Sequence, residues 1–264
     1  MIYSLYKITD IIQGGEMARI ARVVIPGLPH HITQRGNNKR NIFMTDDERR
    51  IYLSLVQEYS EKYGASILAY CLMTNHVHLI VVPRDHRTLA RLFNICHMTF
   101  AKLINKKHQA TGHVWHSRYY SCVMQLQHLL NAACYIERNP VRAEIVDKPW
   151  NWKWASAAFH VGKSRAGIIS GNLFEYIGVT AGEWVNLLCK SDDRDFQNYL
   201  QEQTRTGRPA GEPSFITELE ALTSRHFQRA RQGRYGLVAS CPRFPSEKLV
   251  SCPPYEAARG LWMA

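Results

Sequence analysis

Two β-rich stretches, Ala65–Met73 and His76–Val82, stand with only Thr74 and Asn75 between them, and this spacing constrains the fold more than any other feature. Runs of this kind joined by so short a turn read as an antiparallel hairpin. Upstream, from Pro29, His31, Thr33 and Arg35 alternate with Ile32 and Gln34 before the turn cluster RGNNKRN, a strand followed by a loop. Thr45 then precedes Asp46, Asp47 and Glu48 in a capping box, and Tyr52, Leu55, Val56, Tyr59 and Tyr63 recur at helical spacing until Gly64. Downstream, Leu89, Leu92, Phe93, Cys96, Phe100 and Leu103 form the apolar stripe of a second helix that ends in the basic NKKH. The run VWHSRYYSCVM reads as another strand, and a third helix is expected from about Leu126 to Asn139, stopped by Pro140.

The order strand, helix, strand, strand, helix, strand, helix contains two split β-α-β halves. The expected fold class is therefore α+β: a ferredoxin-like antiparallel sheet with helices on one face. One further strand has room at Glu144 to Val146, and the aromatic stretch WNWKWASAAF is expected to pack back on the domain before a loop at 162–171. Thr180 to Cys189, Asp192 to Gln203 and Ser214 to Arg225 read as short helices, and TRTGRPAGEP as a linker or turn-rich arm. The basic run RHFQRARQGR reads as a solvated or nucleic-acid-facing arm. This divides the chain into an N-terminal extension expected to lack structure (1–16), a main domain (17–160), a small basic helical appendage (161–235) and an aperiodic tail expected to be disordered (236–264). Met17 opens a cleaner start, MARIARVV, and the residues before it lack the pattern of a signal peptide.

Composition narrows the function classes. With 45% hydrophobic and 21% charged residues the chain is neither disordered throughout nor fibrous. Its apolar runs fall short of the roughly twenty residues of a membrane-spanning helix, so no membrane partner is expected. Seven cysteines without a Cys-x-x-Cys pair argue against a disulfide framework or a structural zinc site and suit a reducing cytoplasm. The balance of 33 Lys plus Arg against 22 Asp plus Glu gives +11, which favours a polyanionic partner, nucleic acid first and anionic membrane second.

Residues two apart on a strand share a face, so His76 and His78 project together while Val77 points into the core. That is half a metal site, although a His-x-His pair also suits the solvated face of a sheet. In the third helix His128, Asn131, Tyr135 and Asn139 form a polar stripe distinct from the apolar one of Leu126, Leu129, Leu130 and Ala133. An amide oxygen with two neutral imidazoles leaves coordination positions open, which suits magnesium or manganese rather than a closed zinc site. Beside such an ion a tyrosine can attack a phosphoryl group as an oxygen nucleophile. From the helix alone, Tyr135 also fits a boundary residue that packs its ring and wets its hydroxyl. Arg35, Asn37, Asn38, Lys39 and Arg40 in the first turn, Arg118, Tyr119 and Tyr120 in the fourth strand, and Arg142 after the third helix mix cations with aromatic rings, as phosphate binding and base stacking require. Each also has an ordinary reading, as a solvated loop, an aromatic edge strand, or a partner of Glu137 or Glu144.

The stretches PHHITQRGNNKRNIF, CLMTNHVHLIVVP and CYIERNPVRAEIV, together with WHSRYYS and in this order, resemble the REP-associated tyrosine transposases of the single-tyrosine HUH superfamily over roughly residues 17–160. The resemblance implies an RNA-recognition-like form of the ferredoxin-like fold and a site in which His76 and His78 bind a divalent metal with Asn139 as third ligand. It further implies that Tyr135 attacks a scissile phosphate of single-stranded DNA to give a 5′-phosphotyrosine and a free 3′-hydroxyl, without a nucleotide cofactor. Its implied substrates are DNA hairpins like repetitive extragenic palindromes, its implied state is a monomer or homodimer, and its implied setting is the nucleoid. A tyrosine hydroxyl titrates near 10, so metal and cations would have to favour the phenolate, with His116 or Arg118 as candidate helpers. Two other readings stand beside it: a rolling-circle initiator or relaxase, of which Asn rather than Tyr at position 139 disfavours the two-tyrosine initiators, and a non-catalytic nucleic-acid-binding regulator. The segments before Met17 and beyond Gly236 have no counterpart in the family.

Overall fold

The computed structural model describes residues 22–191 and 193–227. The expectations for the N-terminal extension, the start at Met17, most of the basic arm and the tail lie outside those residues. The core is the expected βαββαβ unit: β1 (His30–Arg35), α1 (Asp46–Tyr63), β2 (Ala65–Leu72), β3 (His76–Pro83), α2 (Thr88–Lys107) and β4 (Tyr120–Val123), followed by α3 (Leu126–Glu137). The strands pair antiparallel in the order β2-β3-β1-β4. Local chemistry explains the borders. Thr45 and Glu48 form the reciprocal capping box of α1, and Gly64, at φ +69°, turns the chain left-handed into β2.

Alternation on the strands sorts side chains onto two faces. Ile32, Ile67, Tyr70, Leu72, Val77, Leu79 and Val81 meet Tyr52 and Val56 of α1 and Leu89, Leu92, Phe93, Cys96 and Phe100 of α2 in an apolar front core. The other face is covered as well. Leu68, Ala69, Cys71, Ile80, Val82 and Cys122 pack against Leu129, Ala132, Ala133 and Ile136 of α3, and beyond them against Leu173, Trp184, Leu188 and Leu200. Those last residues belong to α6 (Leu173–Ile177), α7 (Ala181–Cys189) and α8 (Arg194–Thr206), which follow α4 (Asn139–Arg142) and α5 (Ala157–His160). The class and the antiparallel sheet are as expected, with α1 and α2 on one face. The helices expected as an appendage build the layer on the opposite face.

Several details depart from the sequence reading. Glu144 to Val146 form no strand: Glu144, at φ +57°, sits in the turn after α4. Pro140 does not stop the third helix outright, because the chain re-enters helical geometry at once in α4, with the proline in its first turn. TRTGRPAGEP is no solvated linker: its first residues finish α8, and buried Ala210 pairs with Met124 beside β4 through hydrogen bonds at 2.8 Å. The basic arm begins docked, with Phe227 buried beside Val23, Val123, and Phe215 and Leu219 of α9 (Pro213–Thr223). The aromatic stretch does pack back, Trp152 donating from its indole to the Leu72 carbonyl at 2.9 Å. Buried Glu137 ties this layer together, accepting from Ser156 and His160 at 2.5 Å and from the Trp184 indole at 2.9 Å.

Candidate active site and nucleic-acid interface

The site forms where the back face of β3 meets α3. His76 and His78 project from that face because Val77 and Leu79 are committed to the front core. Their rings lie 5.0 Å apart, centroid to centroid, nearly perpendicular. Tyr135 stands one step round α3 from the core residues Ala132 and Ile136, so its ring reaches the same spot. It meets His78 edge-on at 5.6 Å and is 5% exposed.

Hydrogen bonds decide which ring nitrogens face inward. The Asn75 side chain donates to the Lys39 carbonyl at 3.4 Å, turning its oxygen to His76, whose Nδ1 donates to it at 2.6 Å. His76 thus presents a bare Nε2. The Nδ1 of His78 is engaged by His31 Nε2 at 2.9 Å, which leaves Nε2 as its other ring nitrogen. Burial, reinforced by the Arg142 and Arg35 cations, lowers the His76 pKa to about 4. Burial, then the neighbouring His76, His31 and Arg142, puts that of His78 well below its ordinary value. Burial alone takes His31 to about 3. The imidazoles are accordingly neutral, the form in which histidine ligates metals.

Asn139 owes its place to the proline beside it. Pro140 has no N–H to give the Ile136 carbonyl, and the Asn139 side-chain amide supplies that hydrogen bond at 3.1 Å. Its Oδ1 accepts from Arg142 at 2.6 Å, and the same guanidinium nitrogen bonds the Tyr135 carbonyl at 3.1 Å. The Arg142 guanidinium carbon sits 4.4 Å from the Tyr135 ring centroid. Among the described residues no three His, Cys, Asp or Glu side chains converge on an ion-sized site. The donor set is two neutral imidazoles plus one amide oxygen that is now bonded to a cation. The chemistry of such a set suits a divalent ion with open positions, and in this structure its amide oxygen is engaged by Arg142.

Three residues of this site escaped the sequence reading. His31 touches His78, Thr204 of α8 touches His31 at 2.8 Å, and Gln201 of α8 donates to the Tyr135 hydroxyl at 3.1 Å. Alternation had placed His31 on one side of its strand, but its nearness to His78 follows only from the β1–β3 register, in which Thr33 faces His78 and His31 faces Ile80. Gln201 and Thr204 sit three apart on one helical face, and nothing in their spacing points to a site over 60 residues away. His128, from the polar stripe, packs instead against Phe196 and Tyr199 of α8.

Beside the histidines lies an exposed rim. The Gly36 amide donates to the Asn75 carbonyl at 2.8 Å, that of Asn37 to Val114 at 2.9 Å, and that of His116 to Arg35 at 3.0 Å, lacing RGNNKR, the hairpin turn and the loop before β4 side by side. A Cβ at Gly36 would collide with the Arg40 carbonyl and Ile42. Asn38 and Lys39 both take positive φ, +50° and +59°. Arg35, Asn38, Lys39, Arg40 and Arg118 are exposed and Asn37 is half-buried, so the structure gathers these sequence-identified residues on one rim. Tyr119 does not join them. It is 2% exposed, tilted against Phe93 at 5.1 Å and under the Arg22 guanidinium at 3.8 Å, a front-core residue rather than a stacking platform for bases. His116 and Arg118 are exposed on the loop, whereas the hydrogen-bond partner of the Tyr135 hydroxyl among the described residues is Gln201.

No helix among the described residues is long and apolar enough to cross a membrane. No curated protein sequence matches the chain. A solved structure of a REP-associated tyrosine transposase bound to a REP hairpin is 17% identical over 60% of this chain and 93% of its own, with a TM-score of 0.49. A Deinococcus radiodurans R1 protein with a provisional transposase assignment is 14% identical over 48% of this chain and 92% of its own, at 0.33. The Saccharomyces cerevisiae tRNA(His) guanylyltransferase is 13% identical over 75% and 86%, also at 0.33. Residues 25–139 match the model of the family described as transposase, IS200-like, a span that runs from just before β1 to Asn139 and holds both histidines and the tyrosine. Over residues 25–139, the chain is similar to the IS200-like transposases.

Proposed function

We propose that this protein is a transposase that cleaves and rejoins hairpin-flanked single-stranded DNA through a 5′-phosphotyrosine on Tyr135, with magnesium or manganese held by His76, His78 and Asn139. The observation that carries the reading is the packing of the Tyr135 ring edge-on against His78, itself beside His76, in the span that matches the transposase family, with the Nδ1 of each imidazole engaged elsewhere. The bound ion would polarise the phosphoryl group. The chain does the rest. The Tyr135 hydroxyl gives up its proton as its oxygen attacks phosphorus, the bond from phosphorus to the 3′ oxygen breaks, and that oxygen takes up a proton to leave as a 3′-hydroxyl, so one proton is released for each one taken up. Attack by another 3′-hydroxyl on the phosphotyrosine reverses the step, so the phosphodiester energy is conserved and no nucleotide is consumed.

The Gln201 amide donor and the Arg142 guanidinium stand where negative charge collects as the phosphate is engaged. Moving from Asn139 to a phosphate oxygen, Arg142 would free the amide oxygen as third ligand and bind substrate in one exchange. The rim of Arg35, Asn37, Asn38, Lys39, Arg40 and Arg118 holds the flanking DNA by its backbone. Palindromic hairpins of the REP type are the substrate class proposed, by the resemblance of the motifs.

The test is incubation with labelled single-stranded hairpins and magnesium or manganese, followed by denaturing electrophoresis. A metal-dependent covalent adduct that Tyr135→Phe abolishes is the expected result. Tight hairpin binding without an adduct, unchanged in Tyr135→Phe, would overturn the reading in favour of a non-catalytic binder.

A further inference from the structure

We propose that Thr204 of α8 and His31 of β1 are positioning residues that fix the proton of His78 on Nδ1 and so keep its Nε2 bare. The proposal gives a metal-site purpose to His78 only through the function proposed above, but the proton assignment follows from hydrogen bonds alone. The Thr204 hydroxyl donates its single hydrogen to the Leu200 carbonyl at 2.7 Å, an atom that can only accept. Towards His31 Nδ1, 2.8 Å away, the Thr204 oxygen must therefore accept, which places a hydrogen on that nitrogen. The oxygen's remaining lone pair faces the Cys122 thiol at 3.2 Å, so no better acceptor competes for the hydroxyl hydrogen.

His31 is 1% exposed and its side-chain partners are a hydroxyl and an imidazole, with no carboxylate to offset a charge. A neutral ring with hydrogen on Nδ1 has a lone pair on Nε2, and His78 Nδ1 lies 2.9 Å from it. His78 must donate there. The two rings are parallel within 3° with centroids 5.1 Å apart. That places them edge to edge in one plane, the arrangement in which an N–H points straight along its neighbour's lone pair. The Leu200 carbonyl thus dictates, through three side chains, which nitrogen of His78 is free. Second-layer hydrogen bonds of this kind orient ligating histidines and set their tautomer. Here the controlling residue lies on α8, beyond the family-matched span, which ends at residue 139.

The experiment is long-range ¹H–¹⁵N correlation of the histidine rings in the metal-free full-length protein, with manganese affinity measured in parallel by electron paramagnetic resonance of the free ion. The wild type is expected to show His78 protonated on Nδ1. Thr204→Ser keeps that pattern, whereas Thr204→Val shifts His78 towards the Nε2–H form and weakens manganese binding by about tenfold. A wild-type His78 protonated on Nε2, or a Thr204→Val spectrum identical to wild type, would overturn the proposal. The wild-type spectrum decides the assignment even if the valine variant fails to fold. The expected tautomers without manganese binding would leave the positioning role standing and remove the metal reading instead.

Discussion

The two faces of one strand do different work in this molecule. On β3, Val77, Leu79 and Val81 enter a front core whose strand-side contacts are almost entirely apolar, while one residue away His76 and His78 enter a back layer threaded with buried polar groups. The front core needs only volume and alternation, and many sequences satisfy it. The back layer holds Tyr135, Asn139, Arg142, His31, Thr204 and Glu137, each dependent on a specific partner. Stability on one side is spread over many interchangeable contacts. On the other side it is tied to a few hydrogen bonds, which is the cost of enclosing chemistry in a protein interior.

Adjacent substitutions on β3 break this comparison most sharply. His78→Ala removes a proposed ligand and is expected to lower the initial rate of adduct formation on a labelled hairpin by about 10³-fold or more. Because it also leaves His31 Nε2 without its partner in a dry interior, we expect a stability loss of about 1–3 kcal/mol, so the rate is taken per folded molecule. Adduct formation within a few-fold of wild type would mean that the back layer is structural after all. Next in size is Glu137→Ala, which strands the donors of Ser156, His160 and Trp184 together in a dry interior. We expect a loss of about 3–5 kcal/mol in denaturant unfolding. Leu79→Ala on the front face is expected to cost about 3 kcal/mol through lost transfer energy and a cavity, with adduct formation per folded molecule unchanged. Equal stability losses for Glu137→Ala and a conservative Glu137→Gln would show that charge, rather than donor satisfaction, holds the back layer.

This contrast also explains what was legible in the sequence. Apolar periodicity reports burial against a neighbour, so the order of strands and helices, the capping box at Thr45 and the shared face of His76 and His78 were all readable. The Tyr-x-x-x-Asn spacing set Asn139 one turn beyond Tyr135, but it did not show that Arg142 bonds both the Asn139 amide oxygen and the Tyr135 carbonyl. Polar pairings across the layer were unreadable, since hydrogen-bond partners carry no period. Hence Thr204 and Gln201, on a helix expected to belong to an appendage, gave no sign of reaching His31 and Tyr135. Tyr119 failed for a related reason: in VWHSRYYSCVM each face mixes bulky with polar residues, Trp115 and Tyr119 with Ser117 and Ser121 on one, Val114 and Tyr120 with His116 and Arg118 on the other, so alternation could not say which tyrosine is buried.

The smallest effect concerns a polar group that the front face does contain. His97 of α2 is buried among Tyr52, Phe93 and Trp115 and accepts a hydrogen bond from the Tyr52 hydroxyl at 3.0 Å. Burial, with a further contribution from the Arg22 cation, lowers its pKa to about 3. The unfolded chain takes up this proton near pH 6.5, whereas the folded chain does not do so until far lower pH. Stability from this group is therefore complete above pH 6.5 and lost progressively as pH falls towards the folded value. Replacing His97 by Gln keeps an acceptor for Tyr52 but removes the titration. Between pH 7 and pH 5 the wild type should lose on the order of 1 to 2 kcal/mol more than His97→Gln in urea unfolding. Because His97 lies on the opposite side of the sheet from Tyr135, adduct formation by the folded variant should keep the wild-type pH profile. A changed profile would mean that the two faces are coupled, and that the division of labour drawn across β3 is not complete.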